Sequence, residues 1–153
     1  MLYYSFTYNE EEMMNQSSKK VEVLLLPGFQ ELEFWYPVLR LREAGVGVSV
    51  VGRDDTQTVF SRLGYPVVAE QAGDGGAGDL LIVPGVVGEP DADTRERALS
   101  SIRAAHARGA LIAASGSSVA LLAEAGMDTA KTITAASVDD MPAFMQTVLA
   151  RTC

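Results

Sequence analysis

Cysteine and histidine are almost missing from this chain of 153 residues: Cys153 is the only thiol and His106 the only imidazole. One cysteine makes no internal disulfide, and one histidine leaves no cluster of soft metal ligands, so neither a disulfide scaffold nor a zinc site is expected. Basic charge is also scarce. Lys and Arg number 12 against 20 Asp and Glu, a formal net charge of −8, which argues against direct nucleic-acid binding and against anionic lipid. No helix-turn-helix segment or basic stripe is present. No apolar run approaches the ~20 residues that span a bilayer, and the N-terminus lacks a basic stretch followed by an apolar core. These absences point to a cytoplasmic protein without a membrane segment, and they suggest no cofactor.

What is present is enough apolar residue, 48% of the chain, for one core. Residues 1–20 are polar and irregular, with the run Glu10-Glu11-Glu12, and read as an N-terminal appendage. The aromatic stretch Leu2-Tyr-Tyr-Ser-Phe-Thr-Tyr8 suits one extra edge strand, and a leader without fixed structure is the alternative. From Val21 the pattern changes to short apolar runs alternating with helical segments. That alternation signals βαβ units, an α/β domain over 21–153 built as a flavodoxin-like three-layer sandwich on a mainly parallel sheet. Expected strands are Val21 to Leu26, Gly47 to Val51, Leu80 to Val83, Ala110 to Ala114 and, weakly, Lys131 to Ala135. A pair of short strands is expected between Thr58 and Ala69, around a turn at Leu63-Gly64. A first helix, with Leu32, Trp35, Tyr36 and Leu39 at three- and four-residue spacing and Trp35 in the core, closes at Ala44-Gly45. Further helices are expected over Ala92 to Arg108, Ser118 to Ala125, and from Asp139 or Asp140 to Arg151 with Pro142 in the first turn.

In an open parallel sheet, ligands bind outside the carboxyl ends of the strands. Three segments leave such ends with turn chemistry: Pro27-Gly-Phe-Gln-Glu-Leu-Glu33, Pro84-Gly-Val-Val-Gly88 and Ser115-Gly-Ser-Ser118. Together they frame one small crevice, whose candidate ligand-binding residues are Gly28, Glu33, Gly85, Val86, Gly116 and Ser117. Glu31 reads as a solvated carboxylate at a helix start, where the macrodipole favours negative charge. Glu33, turned into the crevice, would serve as hydrogen-bond donor or general acid/base. Amides near Gly85, Val86 and Ser117 would receive an oxyanion or a ligand carboxylate. Ser117 or Ser118 would orient substrate or attack it, or simply cap its own helix. His106, near the end of the preceding helix, stands away from the crevice and supplies no base.

These segments resemble the ThiJ/PfpI superfamily, of the class I glutamine-amidotransferase-like fold, which includes intracellular protease/amidase-like proteins, glyoxalases and deglycases. The resemblance is carried by Leu26-Pro-Gly-Phe-Gln-Glu-Leu-Glu-Phe-Trp-Tyr-Pro37 with Leu41-Arg-Glu-Ala-Gly45, by Val83-Pro-Gly85, and by Ile112-Ala-Ala114 with Ala120-Leu-Leu-Ala-Glu-Ala-Gly126. It implies that Glu33 is the pocket acid that hydrogen-bonds a catalytic cysteine. The family's elbow reads Ala-Ile-Cys-His-Gly-Pro, whereas Ala114-Ser-Gly-Ser-Ser-Val119 stands here. Gly116 replaces the nucleophile, Ser117 the adjacent histidine, and Val86 a glycine that shapes the oxyanion pocket. Glycine adopts the elbow conformation without the strain, on the order of 1–3 kcal/mol, that another residue bears there. The turn is expected to survive without its chemistry, which argues against thiolate-dependent peptidase, glyoxalase or deglycase activity.

The segment between Met127 and Thr132 is shorter than the resemblance implies, so the sheet is expected to be shortened at its C-terminal end. Apolar surface left open there would be covered by a partner subunit, giving a dimer or higher homo-oligomer. The leading functional expectation is a noncatalytic, divergent member that binds a small polar metabolite, carboxylate-bearing ligands included, at the Glu33/Gly85/Gly116 crevice. An enzyme of altered chemistry, a hydratase, lyase or amide hydrolase using Glu33 as acid/base, is the alternative. A structural or regulatory interaction module is the third.

Overall fold

The computed structural model describes residues 19–74 and 77–152. Its chain alternates strands and helices: β1 (Lys20–Leu24), α1 (Glu31–Glu43), β2 (Gly47–Gly52), β3 (Thr58–Phe60), β4 (Pro66–Val68), β5 (Gln71–Ala72), β6 (Leu80–Val83), α2 (Ala92–Ala107), β7 (Leu111–Ser115), α3 (Val119–Glu124), β8 (Ile133–Ala135) and α4 (Met141–Thr152). Six strands form one parallel sheet in the order β5-β2-β1-β6-β7-β8. β3 and β4 make a separate antiparallel hairpin. The strand order steps in one direction from β1 to β2 and in the other from β1 to β6, the reversal that marks a flavodoxin-like α/β fold.

Alternation along the strands divides the interior into two cores. Val21, Val23 and Leu25 pack on one face with Phe34, Val38 and Leu41 of α1 and Phe144, Met145 and Val148 of α4. Leu24, Leu26, Leu81 and Val83 pack on the other face with Leu99 and Ile102 of α2 and Leu122 of α3. The central strands are mostly apolar because helices cover both of their faces, Glu22 of β1 being the exception, its carboxylate accepting from Ala77 N. Elements expected from the sequence stand within a residue or two of their places. β5 is the exception: Gln71 and Ala72 are both exposed, and so brief a polar edge strand carries no periodic signal.

The buried face of α1 differs from expectation. Leu32 and Leu39 are 53% and 58% exposed, and Trp35 and Tyr36 are only partly buried against the core. The core side is Phe34, Pro37, Val38 and Leu41, a second apolar stripe rotated from the first around the helix. Phe34 settles the choice by stacking on Phe29 at 4.6 Å between ring centroids, with Trp35 against its edge. Pro37 is tolerated inside the helix because its fixed backbone angle is already helical, at the cost of one hydrogen bond. The path from α3 to β8 runs from Ala125 to Thr132, and β8 is the sheet edge among the described residues. The aromatic stretch Leu2–Tyr8 lies outside the described residues.

The two stripes predict opposite responses to truncation. Phe34→Ala is expected to lower the stability of the monomeric chain by about 3–5 kcal/mol, the range for a buried phenylalanine, and Leu32→Ala that of the monomeric chain by less than about 0.5 kcal/mol. Urea denaturation of both variants checks this, and equal losses would return the buried face to the Leu32 side.

Candidate functional site

Backbone hydrogen bonds bring the turns after β1 and β6 together. Gln30 N donates to Gly85 O at 2.9 Å, Val87 N donates to Gly28 O at 3.1 Å, and Phe29 and Val86 form an isolated antiparallel bridge. The β3–β4 hairpin closes over the same turn, with Gly28 N donating to Phe60 O and Arg62 N to Phe29 O. Glu31 belongs to this clasp and is not freely solvated as expected. Its carboxylate accepts from Leu63 N at 3.0 Å and faces Arg62 Nε at 3.7 Å. Burial alone would raise its pKa, but hydrogen bonds from Ser61 and Leu63 with the Arg62 charge outweigh it and hold Glu31 below the usual carboxylate value.

Glu33 is the third helical residue after the cap. Gln30 is the N-cap of α1, and its side-chain oxygen accepts from Glu33 N at 2.8 Å. The Glu33 side chain then points inward, only 6% exposed, and Oε1 accepts from Gly85 N at 3.1 Å. Gly116 faces it from the end of β7 in the left-handed region, φ +56°. A Cβ added at Gly116 would stand 2.5 Å from Glu33 Oε1 and 2.8 Å from Oε2. One added at Gly85 would stand 2.7 Å from Oε1. The carboxylate therefore occupies the volume that a side chain on the elbow would need, and both glycines are required by its presence.

Residues Gly116–Ser118 form a single 3-10 turn leading into α3. Neither serine caps that helix. Ser117 Oγ accepts from Val86 N at 3.0 Å and donates to Val86 O at 2.8 Å, while Ser118 Oγ donates to Pro84 O at 2.8 Å. Both hydroxyl protons are thus directed at carbonyls of the turn after β6. The amides of Gly85 and Val86, expected to receive an oxyanion, donate to Glu33 and Ser117 in this arrangement. Ser115 Oγ is fully buried without a hydrogen bond. His106 is exposed in the last turn of α2, at the other end of that helix from its start beside the Val86–Pro90 loop.

An open cavity of about 400 Å³ adjoins this cluster. Leu26, Val86, Ala98 and Leu121 give it apolar walls, and Ser117, Thr94, Glu89, Arg95 and Glu124 give it polar ones. Of the expected crevice residues, Val86 and Ser117 line the cavity, with Ser118 beside them. Gly28, Glu33, Gly85 and Gly116 do not. The cavity's own polar anchors, Arg95 on α2 and Glu124 on α3, pair with each other across it. Neither stood out in the sequence: Arg95 is one of several charged residues on α2, and Glu124, the one charged residue of α3, lies at its C-terminal end. Among the described residues, no group of three or more His, Cys, Asp or Glu side chains is placed to hold a metal ion, and no helix is long and apolar enough to cross a membrane.

The contact between Glu33 and Gly116 is open to a double-mutant cycle. Gly109 also has a positive φ, +79°, but has open space where its Cβ would go. Gly109→Ala is expected to cost about 1–2 kcal/mol for the left-handed backbone alone, and Gly116→Ala about 2–5 kcal/mol because the carboxylate must also move. In a Glu33→Ala background the Gly116→Ala cost should fall to the Gly109 level. Additive losses in chemical denaturation would show that the carboxylate does not hold that space.

Residues 19–137 match the model of the DJ-1/PfpI family. No curated protein matches the chain. Among solved structures, DJ-1beta of Drosophila melanogaster superposes with a TM-score of 0.74 at 18% identity, covering 88% of this chain and 90% of that one. A cysteine-to-alanine mutant of a DJ-1 superfamily protein from Salmonella typhimurium gives 0.71 at 20% identity, over 87% and 89% of the two chains. An AraC family transcriptional regulator from Pseudomonas putida gives 0.66 at 17% identity, over 88% and 92%. At such identities the superpositions speak for the fold, and the family match supplies the rest: this chain belongs to the DJ-1/PfpI family.

Proposed function

We propose that this chain is a non-thiol member of the family that binds a small carboxylate-bearing metabolite in the cavity between the Val86–Pro90 loop, α2 and α3. One observation carries the reading. The position that resembles the family's nucleophile is Gly116, its side-chain volume is filled by Glu33, and an amphipathic cavity of about 400 Å³ stands directly beside it. Apolar walls together with polar groups suit a small polar molecule with a short hydrocarbon body. Arg95 is the only cationic residue lining this cavity and offers a forked donor set to a ligand carboxylate, with Glu124 displaced from it. Binding is favoured over turnover because Ser117 and Ser118 direct their protons to backbone carbonyls, and Glu33 lies outside the cavity.

Thermal unfolding against a panel of hydroxy, keto and amino acids tests this. A true ligand at a hundredfold excess over Kd adds about 2.7 kcal/mol of stability and raises Tm. The shift should disappear in Leu121→Trp, which fills the cavity, and weaken at least tenfold in affinity in Arg95→Gln. A panel without any shift, or a shift unchanged by Leu121→Trp, overturns the proposal.

The same reading includes a homodimer. Leu32 and Leu39 on α1 are exposed, as are Phe60, Leu63 and Tyr65 on the hairpin, which Leu63 N ties to Glu31 at the start of α1. Neighbouring apolar side chains of this size on adjoining elements favour a protein contact. Light scattering at micromolar concentration should give the mass of a dimer, reduced to a monomer by Leu32→Glu with Leu63→Glu. A monomer mass for the unaltered chain removes the dimer.

A further inference from the structure

β8 pairs with β7 on one side only, so its outward peptide groups have no strand beside them among the described residues. Between that edge and α4 lies a groove of about 650 Å³, lined in part by Thr132, Thr134, Phe144 and Thr147, with Lys131, Asp140 and Arg151 as its charged residues at the rim. The chain enters β1 beside the same rim: Lys19 Nζ donates to Arg151 O at 2.8 Å. Residues 1–18 join the structure at this point.

We propose that residues 2–8 add to the free edge of β8 as a further strand, in the same chain, with their apolar side chains in the groove. Leu2, Tyr4, Phe6 and Tyr8 alternate with Tyr3, Ser5 and Thr7, the period-two pattern of a strand with one face buried. Reach is sufficient. The slot beyond β8 lies four strand spacings from β1, about 19 Å, and the steps from Tyr8 to Lys19 span up to about 36 Å. Lys19 stands where the parallel strands begin, so the short path runs antiparallel to β8, the more stable pairing. Charge agrees with this placement. Residues 1–18 contain Glu10, Glu11 and Glu12 and no Lys or Arg, and they would pass Lys131 and Arg151.

Amide hydrogen exchange on the full chain tests the pairing. Residues 2–8 and Ile133–Ala135 should both be protected. In Tyr4→Ser/Phe6→Ser/Tyr8→Ser, protection at both places should fall at least tenfold together, with β6 unchanged. Charge reversal of Lys131 and Arg151 to Glu should weaken both several-fold at low salt. Residues 2–8 exchanging at the unprotected rate in the unaltered chain, or β8 unmoved by the triple variant, overturns the proposal. Protection of residues 2–8 that grows with protein concentration also overturns it, because the segment then lies on a second copy.

Discussion

The carboxylate of Glu33 accepts from Gly85 N and fills the space a side chain at Gly116 would claim, so one group sets the spacing of the turns that leave β1, β6 and β7. Each participant depends on the others. Gln30 fixes where α1 begins and hence where Glu33 points, Gly85 lets the second turn approach, and Gly116 leaves room over the carboxylate. A buried acid accepting a single assigned backbone bond would be expensive if its surroundings relaxed. Here the surroundings are strand ends of a parallel sheet, whose positions are fixed by pairing on both sides.

That constraint extends to the serines. With Gly116 lacking a side chain, the elbow is joined to the turn after β6 by Ser117 and Ser118, whose hydroxyls meet Val86 and Pro84. Hydroxyls used in this way lend stiffness rather than reactivity, since activation would require breaking an internal hydrogen bond and finding a base. Glu33, packed against the elbow, is occupied with Gly85, and His106 is at the far end of α2.

Much of the fold was legible because the strands that are buried on both faces, β1, β6 and β7, are predominantly apolar runs between turn residues, interrupted in β1 by Glu22, and because Ala44-Gly45 and Gly109 mark helix ends. The face of α1 was not, for a physical reason: its sequence carries apolar residues on two stripes, and only the position of Phe29 shows which stripe Phe34 joins. β5 was invisible because pairing with β2, not side-chain pattern, defines it. At the site, the sequence located Glu33, Gly85, Gly116 and Ser117 near one another, since each sits in a turn after a strand of the same sheet. It could not reveal that Glu33 faces away from open space, nor that Arg95 and Glu124 meet, because both depend on how α2 and α3 pack.

The displacement of open volume from Glu33 to the side of α2 follows from topology. In a doubly wound sheet the crevice opens where neighbouring connections leave in opposite directions, here between β1 and β6. In this chain the Phe29–Val86 bridge and the bonds Gln30 N to Gly85 O and Val87 N to Gly28 O draw those two turns together, and the hairpin covers them. The Gly85 and Val86 amides, which a ligand would have met, are satisfied within the protein. The space that remains lies beyond Val86, between the first turns of α2 and the six-residue α3, which leave the gap unfilled. A ligand there would meet the elbow through Ser117 and its helix through Leu121, on the side of Val86 away from Glu33.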